Sequence, residues 1–445
     1  MKNLLTTIRS DMDKLAPVRF VALGYFIYAL IGWLLLCLPF AHAGKYIPAI
    51  DNLFSAVSAL STTGLVTTNT GDDYSIWGQL IILLLIQIGG IGYMTFGSFV
   101  VLSHSDWISY RRKDITKSVF SLPDNIDIGQ FVRSVIIFTI VIEIIGSIAL
   151  YFSFSAIGAP SPLWSTIFHS VSAFCTAGFS LYGNSMESFR TNIPINCTIG
   201  CLSYLGAIGF IVMLDVWKVL ARRSHHITLT SKVILIGTLW LSIIGIVLFF
   251  LGEPAIRGLP FHDRFMTSCF QVMSALTTVG FNSIPIDKLS RASLFLIIML
   301  MVIGASPSGT GGGLKVTTFS AVIGVVRSAI RGLDRVYYWG REIPPERIWV
   351  AFASLGFYLF FVITGCYVLS LTEDFGFEAI LFEVASGLGT VGLSTGITAS
   401  LSFMGKLVII FLMFIGRLGP LSFGIALFMI RPKIKLIRIV DDLAV

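Results

Sequence analysis

Four twelve-residue segments of this chain superimpose without a gap: FSAVSALSTTGL (54–65), FHSVSAFCTAGF (168–179), FQVMSALTTVGF (270–281) and FEVASGLGTVGL (382–393). In every copy a Phe stands ten residues before a glycine, a Ser six before it, a Thr two before it, and a Leu or Phe one after it. The glycines are Gly64, Gly178, Gly280 and Gly392, spaced 114, 102 and 112 apart. Agreement at so many fixed offsets marks internal duplication, so the fold has to be assembled from four copies of one unit.

The surroundings of the segments say where that unit lives. Hydrophobic residues make up 55% of the 445 and charged residues only 12%, with a mean hydropathy of +0.87. Soluble domains carry about 25% charge, so the chain reads as an integral membrane protein, and a disordered chain is excluded. Eight apolar stretches are long enough to span a bilayer: about 16–40, 79–103, 131–154, 194–219, 232–252, 294–326, 348–371 and 405–430.

Each repeated segment lies between the two stretches of a pair. Helix from Phe54 to Thr62 reaches only ~14 Å against a hydrocarbon core of ~30 Å, so the segment enters the membrane and returns. The second stretch of each pair repeats as well, as IGGIG (88–92), LGAIG (205–209), IGASP (303–307) and IGRLG (415–419). A unit of span, short segment and span makes an even number of crossings, so all four units start on the same side. This differs from the inverted repeats of many secondary transporters. The expected fold is an all-α integral membrane protein of four parallel M1-P-M2 repeats, eight spans plus four re-entrant pore helices, around a pseudo-fourfold pore. Along the chain this gives a cytoplasmic N-terminus (1–15), repeat 1 (16–103), a cytoplasmic loop (104–130), repeat 2 (131–219), repeat 3 (232–326) with a broken second span, a cytoplasmic loop (327–347), repeat 4 (348–430) and a cytoplasmic C-terminus (431–445).

Of the 31 Lys and Arg, 22 flank one side of the spans and seven the other, which puts both termini in the cytoplasm. The N-terminal apolar run has no small-residue cleavage site and reads as a retained span. The outer flanks balance to −4, and a negative mouth concentrates cations, although solvated acidic loops explain the same charge. The basic cytoplasmic loops suit anionic lipid as well as a docking partner.

Bare backbone at membrane depth is tolerated where it lines a watery cavity, and four copies about one axis supply that cavity. Glycine accepts the backbone conformation that lets successive carbonyls face the axis, and rings of carbonyls replace the hydration shell of potassium. The short helices point their negative ends inward, which favours a cation there. Close helix packing accounts equally well for one such glycine, but not for four at matched offsets.

Repeat three departs from the others at GASPSGTGGGLK (304–315), where five glycines and a proline interrupt the second span. This reads as an intramembrane loop beneath the filter, or as a static kink. Arg417 lies deep in the last span, where a charge costs several kcal/mol unless paired or hydrated. It either holds the loop and raises a barrier to cations, or pairs with Glu143, Asp215 or loop carbonyls. Lys315 is expected to snorkel toward the cytoplasm. Nine residues before the glycines stand Ser55, His169, Gln271 and Glu383, a polar set expected to make local hydrogen bonds. No HExxH, nucleotide-binding glycine loop or catalytic cluster is present, so the chain reads as a non-enzyme without a cofactor of its own and without a nucleic-acid partner. Cys197 and Cys201 read as packing residues.

A four-copy loop with one glycine in place of a full TVGYG, joined to eight spans, resembles the Trk/Ktr/HKT superfamily of potassium transporters. The short eight-span form most resembles the membrane subunit of bacterial Ktr potassium uptake systems, over essentially the whole chain. The resemblance implies a potassium filter formed by Thr62, Thr63, Gly64 and Leu65, by Thr176, Ala177, Gly178 and Phe179, by Thr278, Val279, Gly280 and Phe281, and by Thr390, Val391, Gly392 and Leu393. It implies a gate made of Gly304, Ala305, Ser306, Pro307, Ser308, Gly309, Thr310, Gly311, Gly312, Gly313 and Lys315 together with Arg417. In that superfamily a serine at the first filter glycine goes with sodium permeation. Gly64 and its three counterparts therefore favour potassium, with a sodium-permeable transporter as the alternative. The resemblance further implies a homodimer in the bacterial plasma membrane, a KtrA-like cytosolic ring that binds adenine nucleotides, potassium as the transported ion, and sodium as an activator or coupled ion.

Overall fold

The computed structural model describes residues 17–92, 128–222, 226–304, 306–307, 309–421 and 423–424. The expectations for the termini, for most of the loop 104–130, for the ends of the stretches 79–103 and 405–430, and for Ala305 and Ser308 lie outside these residues.

The described chain is helical, and its helices fall into three recurring kinds. The first kind is α1 (Pro17–Leu36), α4 (Ile128–Ala156), α8 (Leu229–Gly252) and α12 (Pro345–Thr372). Within this set Arg133–Ala156, Leu229–Gly252 and Pro345–Thr372 are long and apolar enough to cross a membrane. Their outer faces carry apolar stripes at helical spacing, Ile140, Ile144 and Ile148 on α4 and Trp240, Ile244, Val247 and Leu251 on α8. Exposed apolar surface on this scale belongs against lipid.

The second kind is short: α2 (Ala49–Leu60), α5 (Pro162–Phe174), α9 (Phe261–Thr277) and α13 (Phe377–Gly389). These helices are buried on nearly all sides. The repeated Phe is an anchor in each, with Phe54, Phe168 and Phe382 wholly buried and Phe270 nearly so. Burying each of these rings is worth roughly 1.5–3 kcal/mol.

The third kind opens on a side-chain cap. Ser75, Asn192, Ser290 and Ser402 each accept a hydrogen bond from the amide three residues on, and they start α3 (Ile76–Ile91), α6 (Ile193–Ile208), α10 (Arg291–Val302) and α14 (Phe403–Leu418).

These four helices correct the expectation that only repeat three is interrupted. α3, α6 and α14 end at Gly92, Gly209 and Gly419, with φ of 84°, 93° and 85°. After Gly209 the chain resumes as α7 (Phe210–Leu220), bent by 101° from α6, so the stretch 194–219 is not one straight span. The breaking residue is the last of the IGGIG-type motif, and a glycine at positive φ stops a helix without steric cost. In repeat three that place is Pro307, and the chain crosses a longer loop before α11 (Val316–Ile330). Cys197 and Cys201 are also corrected, since both are exposed on the outside of α6 and not packed within the fold.

One ion pair ties the first and last repeats together. Lys406 at the start of α14 donates to Asp51 in the first turn of α2 at 2.6 Å, with side chains only 13% and 9% exposed. Removing one partner of so covered a pair leaves a buried charge, which costs about 3 kcal/mol. Lys406→Met is therefore expected to lower the melting temperature in detergent by several degrees, with Asp51→Asn added to it restoring most of the loss. Equal melting of the single and double variants would show that the two charges do not couple.

Candidate ion pathway

Each short helix ends in the same backbone figure. The amide one residue before the glycine donates to the carbonyl of the repeated Ser: Thr63 to Ser58 at 2.9 Å, Ala177 to Ser172 at 2.8 Å, Val279 to Ser274 at 3.1 Å and Val391 to Ser386 at 2.9 Å. The repeated Thr then takes a left-handed conformation, with φ of 52°, 50°, 59° and 49° at Thr62, Thr176, Thr278 and Thr390. The glycines follow at φ of 91°, 66°, 82° and 95°. In three of the copies the serine hydroxyl closes the turn, since Ser58 and Ser172 donate to the carbonyls of Leu65 and Phe179, and Ser58 and Ser386 accept from the amides of Gly64 and Gly392, while Ser274 Oγ has no hydrogen bond among the described residues. Sequence reasoning noticed the fixed serine but gave it no role. Its invariance through four copies was the signal.

The four glycines form a closed ring. A Cβ on Gly64 would fall on the carbonyl oxygen of Ala177, one on Gly178 on that of Val279, one on Gly280 on that of Val391, and one on Gly392 on that of Thr63. Each repeat thus seats the carbonyl preceding the next repeat's glycine, and the fourth returns to the first. The side chains of Leu65, Phe179, Phe281 and Leu393 are buried, as are those of Thr63, Ala177, Val279 and Val391, which anchors the strand away from the axis. A circle of backbone oxygens with no side chain between them can coordinate a dehydrated cation.

Beneath the ring lies the loop of repeat three. Thr62 donates to the Thr310 carbonyl at 3.3 Å, Thr176 to the Thr310 hydroxyl at 3.0 Å, and the Gly312 amide donates to Thr390 at 2.9 Å. Three of the four repeated threonines therefore grip the loop, while Thr278 Oγ1 has no hydrogen bond among the described residues. The loop is also stitched to the broken end of α6. The Ser306 amide donates to the Ala207 carbonyl at 3.1 Å, the Ser306 hydroxyl to Ala207 at 2.9 Å, and the Thr310 amide to Gly206 at 3.1 Å. Carbonyls freed where α6 stops are satisfied by a segment from another repeat, as membrane depth demands. Lys315 is held within the loop itself. It turns back and donates to the carbonyls of Gly311 and Gly312 at 2.8 and 3.3 Å, because the loop's bare carbonyls are closer partners than water.

Arg417 sits at the third position of its motif, where the other copies have Gly90, Ala207 and Ala305. Its guanidinium donates to Thr62 Oγ1 at 2.9 Å, to Tyr25 Oη at 3.2 Å, and to the carbonyls of Thr310 and Gly89. Of the partners the sequence offers, the loop carbonyl is the one observed. Asp215 instead accepts from Thr228 and Ser231, and Glu143 accepts from Gln87 at 3.1 Å and lies against the Cys175 thiol.

Above the ring opens a vestibule of about 470 Å³, lined by Asp73, Glu187, Asn282 and the four repeated glycines among others. Glu187 is the partly buried acid at this rim, and burial raises its carboxyl above the usual range. The polar set nine residues before the glycines braces the strands that climb out of the ring. His169 Nε2 meets Ser180 Oγ at 3.1 Å, Gln271 accepts from the Ser283 amide at 3.5 Å, and Glu383 accepts from Ser394 and Thr398. Among the described residues no cluster of His, Cys, Asp and Glu could hold a metal ion.

A family model described as a cation transport protein, TrkH, matches residues 26–439. The chain is 35% identical over 415 residues to the Ktr system potassium uptake protein B of Bacillus subtilis, covering 92% of each. It is 36% identical over 419 residues to the potassium/sodium uptake protein NtpJ of Enterococcus hirae, again covering 92% of each. Over 440 residues it is 33% identical to the Ktr system potassium uptake protein B of Vibrio alginolyticus, covering 98% of this chain and 96% of that one. Among solved structures, the potassium transporter TrkH from Vibrio parahaemolyticus shares the fold, with a TM-score of 0.69 at 20% identity over 92% of this chain and 83% of that one.

Proposed function

We infer that this chain, which belongs to the TrkH family of cation transport proteins, takes up potassium across a bacterial plasma membrane through a channel-like pore. The observation that carries this reading is the ring in which each filter glycine seats the next repeat's carbonyl. Four units closing on one another support the count of eight spans and four re-entrant helices, in repeats 16–103, 131–219, 232–326 and 348–430. The family is one of transporters, not of enzymes. Potassium is favoured by the names of the Bacillus and Vibrio relatives, and sodium as a second ion by that of the Enterococcus relative.

The loop 304–315 with Arg417 is the gate in this reading, supported by its grip on Thr62, Thr176 and Thr390 directly below the ring. The Ktr-system names of the Bacillus and Vibrio relatives support a membrane subunit that works with other components, for which a homodimer and a cytosolic nucleotide-binding ring are the proposal. The basic flanks favour cytoplasmic termini and a cytoplasmic face where that ring docks.

The test is growth and potassium uptake of potassium-transport-deficient bacteria that express the chain, with and without sodium, beside Gly64→Ser. The wild type is expected to rescue growth at low potassium. A seryl Cβ would push on the Ala177 carbonyl, so Gly64→Ser should lower the preference for potassium over sodium at least about tenfold, or ~1.4 kcal/mol. A well-expressed chain that moves sodium and not potassium would overturn the ion assignment.

A further inference from the structure

One ionisable group of the pathway carries a charge that its bracing role does not require. Glu383 on α13 is wholly buried. Its Oε1 accepts from Ser394 and, at 2.9 Å, from Thr398, but its Oε2 meets no donor. Among the described residues no Lys, Arg or His pairs with it. The hydroxyl of Thr395, next to Ser394 in the chain, is likewise buried without a partner. A buried carboxylate with a bare oxygen costs several kcal/mol unless a proton or a cation offsets it. Three repeats avoid that cost, since Ser55, His169 and Gln271 occupy the equivalent position. A neutral side chain is enough to brace the outgoing strand, so the charge in repeat four answers another need.

The turn 394–398 lies against this carboxylate through Ser394 and Thr398. Gly396, at φ of 93°, folds it so that its own amide donates to Ser394 Oγ at 2.9 Å and the Thr398 hydroxyl oxygen lies 2.8 Å from the same atom. Ser394, Gly396 and Thr398 line the vestibule above the ring. The carboxylate therefore lies one layer of hydroxyls behind the space from which ions enter the ring.

We propose that Glu383, with the hydroxyls of Ser394, Thr395 and Thr398, forms a binding site for one sodium ion beside the filter, separate from the ring of glycine carbonyls. The donors are hard oxygens, as an alkali cation requires. A single carboxylate balances a single positive charge, whereas a divalent ion would call for more, and among the described residues no group of three or more His, Cys, Asp and Glu could hold a metal ion. Ligands gathered on one short turn close around a small ion, while potassium is served by the wide carbonyl ring. The bound ion neutralises Glu383 and ties the outgoing strand of repeat four to its short helix. This rests on reading the ring as a potassium filter.

The test is thermal unfolding of the full chain in lipid nanodiscs. Potassium is held at a concentration that fills the filter, and sodium replaces N-methylglucamine at constant ionic strength. A ligand bound only by the folded state raises the melting temperature saturably. The wild type is expected to show this rise. Glu383→Gln should need at least about tenfold more sodium, as should Ser394→Ala combined with Thr398→Val, which keeps the carboxylate. Potassium added to N-methylglucamine alone should stabilise all three chains. An undiminished sodium response in Glu383→Gln overturns the site, and so does a rise produced by acid while sodium has no effect, since a proton then neutralises the group. Should sodium stabilise the wild type while potassium does not, the filter reading falls and the sodium site stands.

Discussion

Gly280→Ala is expected to reduce potassium uptake in proteoliposomes by about 100-fold or more at equal protein content. Two costs combine at this position. An L-residue held at φ of 82° is strained by ~1–2 kcal/mol, and its Cβ would fall on the carbonyl oxygen of Val391, which must then leave the ring. Each 1.4 kcal/mol is a factor of ten, so about 3 kcal/mol of disturbance to ion coordination accounts for the predicted loss. Gly340→Ala separates the two costs. Gly340 has φ of 74° but nothing within 4 Å of its Cβ position, so the strain is similar while no carbonyl is displaced. That variant should transport within about twofold of the wild type. Comparable losses in both would mean that backbone strain, and not carbonyl displacement, is what transport senses.

Arg417→Ala is expected to act in the opposite direction, raising the maximal potassium flux at least about tenfold with little change in half-saturation. The guanidinium holds the Thr310 carbonyl and Thr62 together directly beneath the ring. At an effective dielectric of about 20, a positive charge about 6 Å from a descending cation opposes it by roughly 2–3 kcal/mol. Removing the side chain lifts that barrier and frees one anchor of the loop. Arg417→Lys retains the charge but reaches fewer carbonyls, and should fall between the two. If Arg417→Ala leaves both velocity and leak unchanged, the residue is a structural clamp and the gating role is wrong.

The ring was legible in the sequence because its requirement is local. A backbone at positive φ with a neighbouring carbonyl on its Cβ position demands glycine, and four glycines at matched offsets announce it. The breaks in the second helices were not legible. Gly92, Gly209 and Gly419 lie in apolar motifs where glycine equally well serves close packing, as Gly89, Gly206 and Gly416 do against the carbonyls of Leu60, Phe174 and Leu388. Only the backbone angle tells the two uses apart. Of the partners of Arg417 the loop carbonyl was foreseen, but Thr62, Tyr25 and the Gly89 carbonyl escaped for a related reason: a carbonyl exposed by a broken helix is encoded by no residue type. The stitching of Ser306 and Thr310 to the end of α6 is invisible for the same reason. Glu383 stood out as one polar position among four, but its unpartnered oxygen is a property of packing and not of pattern.

The ring of glycines and carbonyls has a direction. Every contact in it runs from one repeat to its successor through two different surfaces, which is the head-to-tail geometry of a cyclic tetramer. In a tetramer of identical subunits any useful change must be tolerated four times over. Here the four subunits are fused in one chain, so each can specialise alone: the third exchanges a helix for a loop, the fourth admits an arginine where the others keep Gly90, Ala207 and Ala305, and only the fourth carries an acid behind its outgoing strand. Symmetry is retained where an ion must be surrounded evenly, and abandoned everywhere that control requires one side to differ from another.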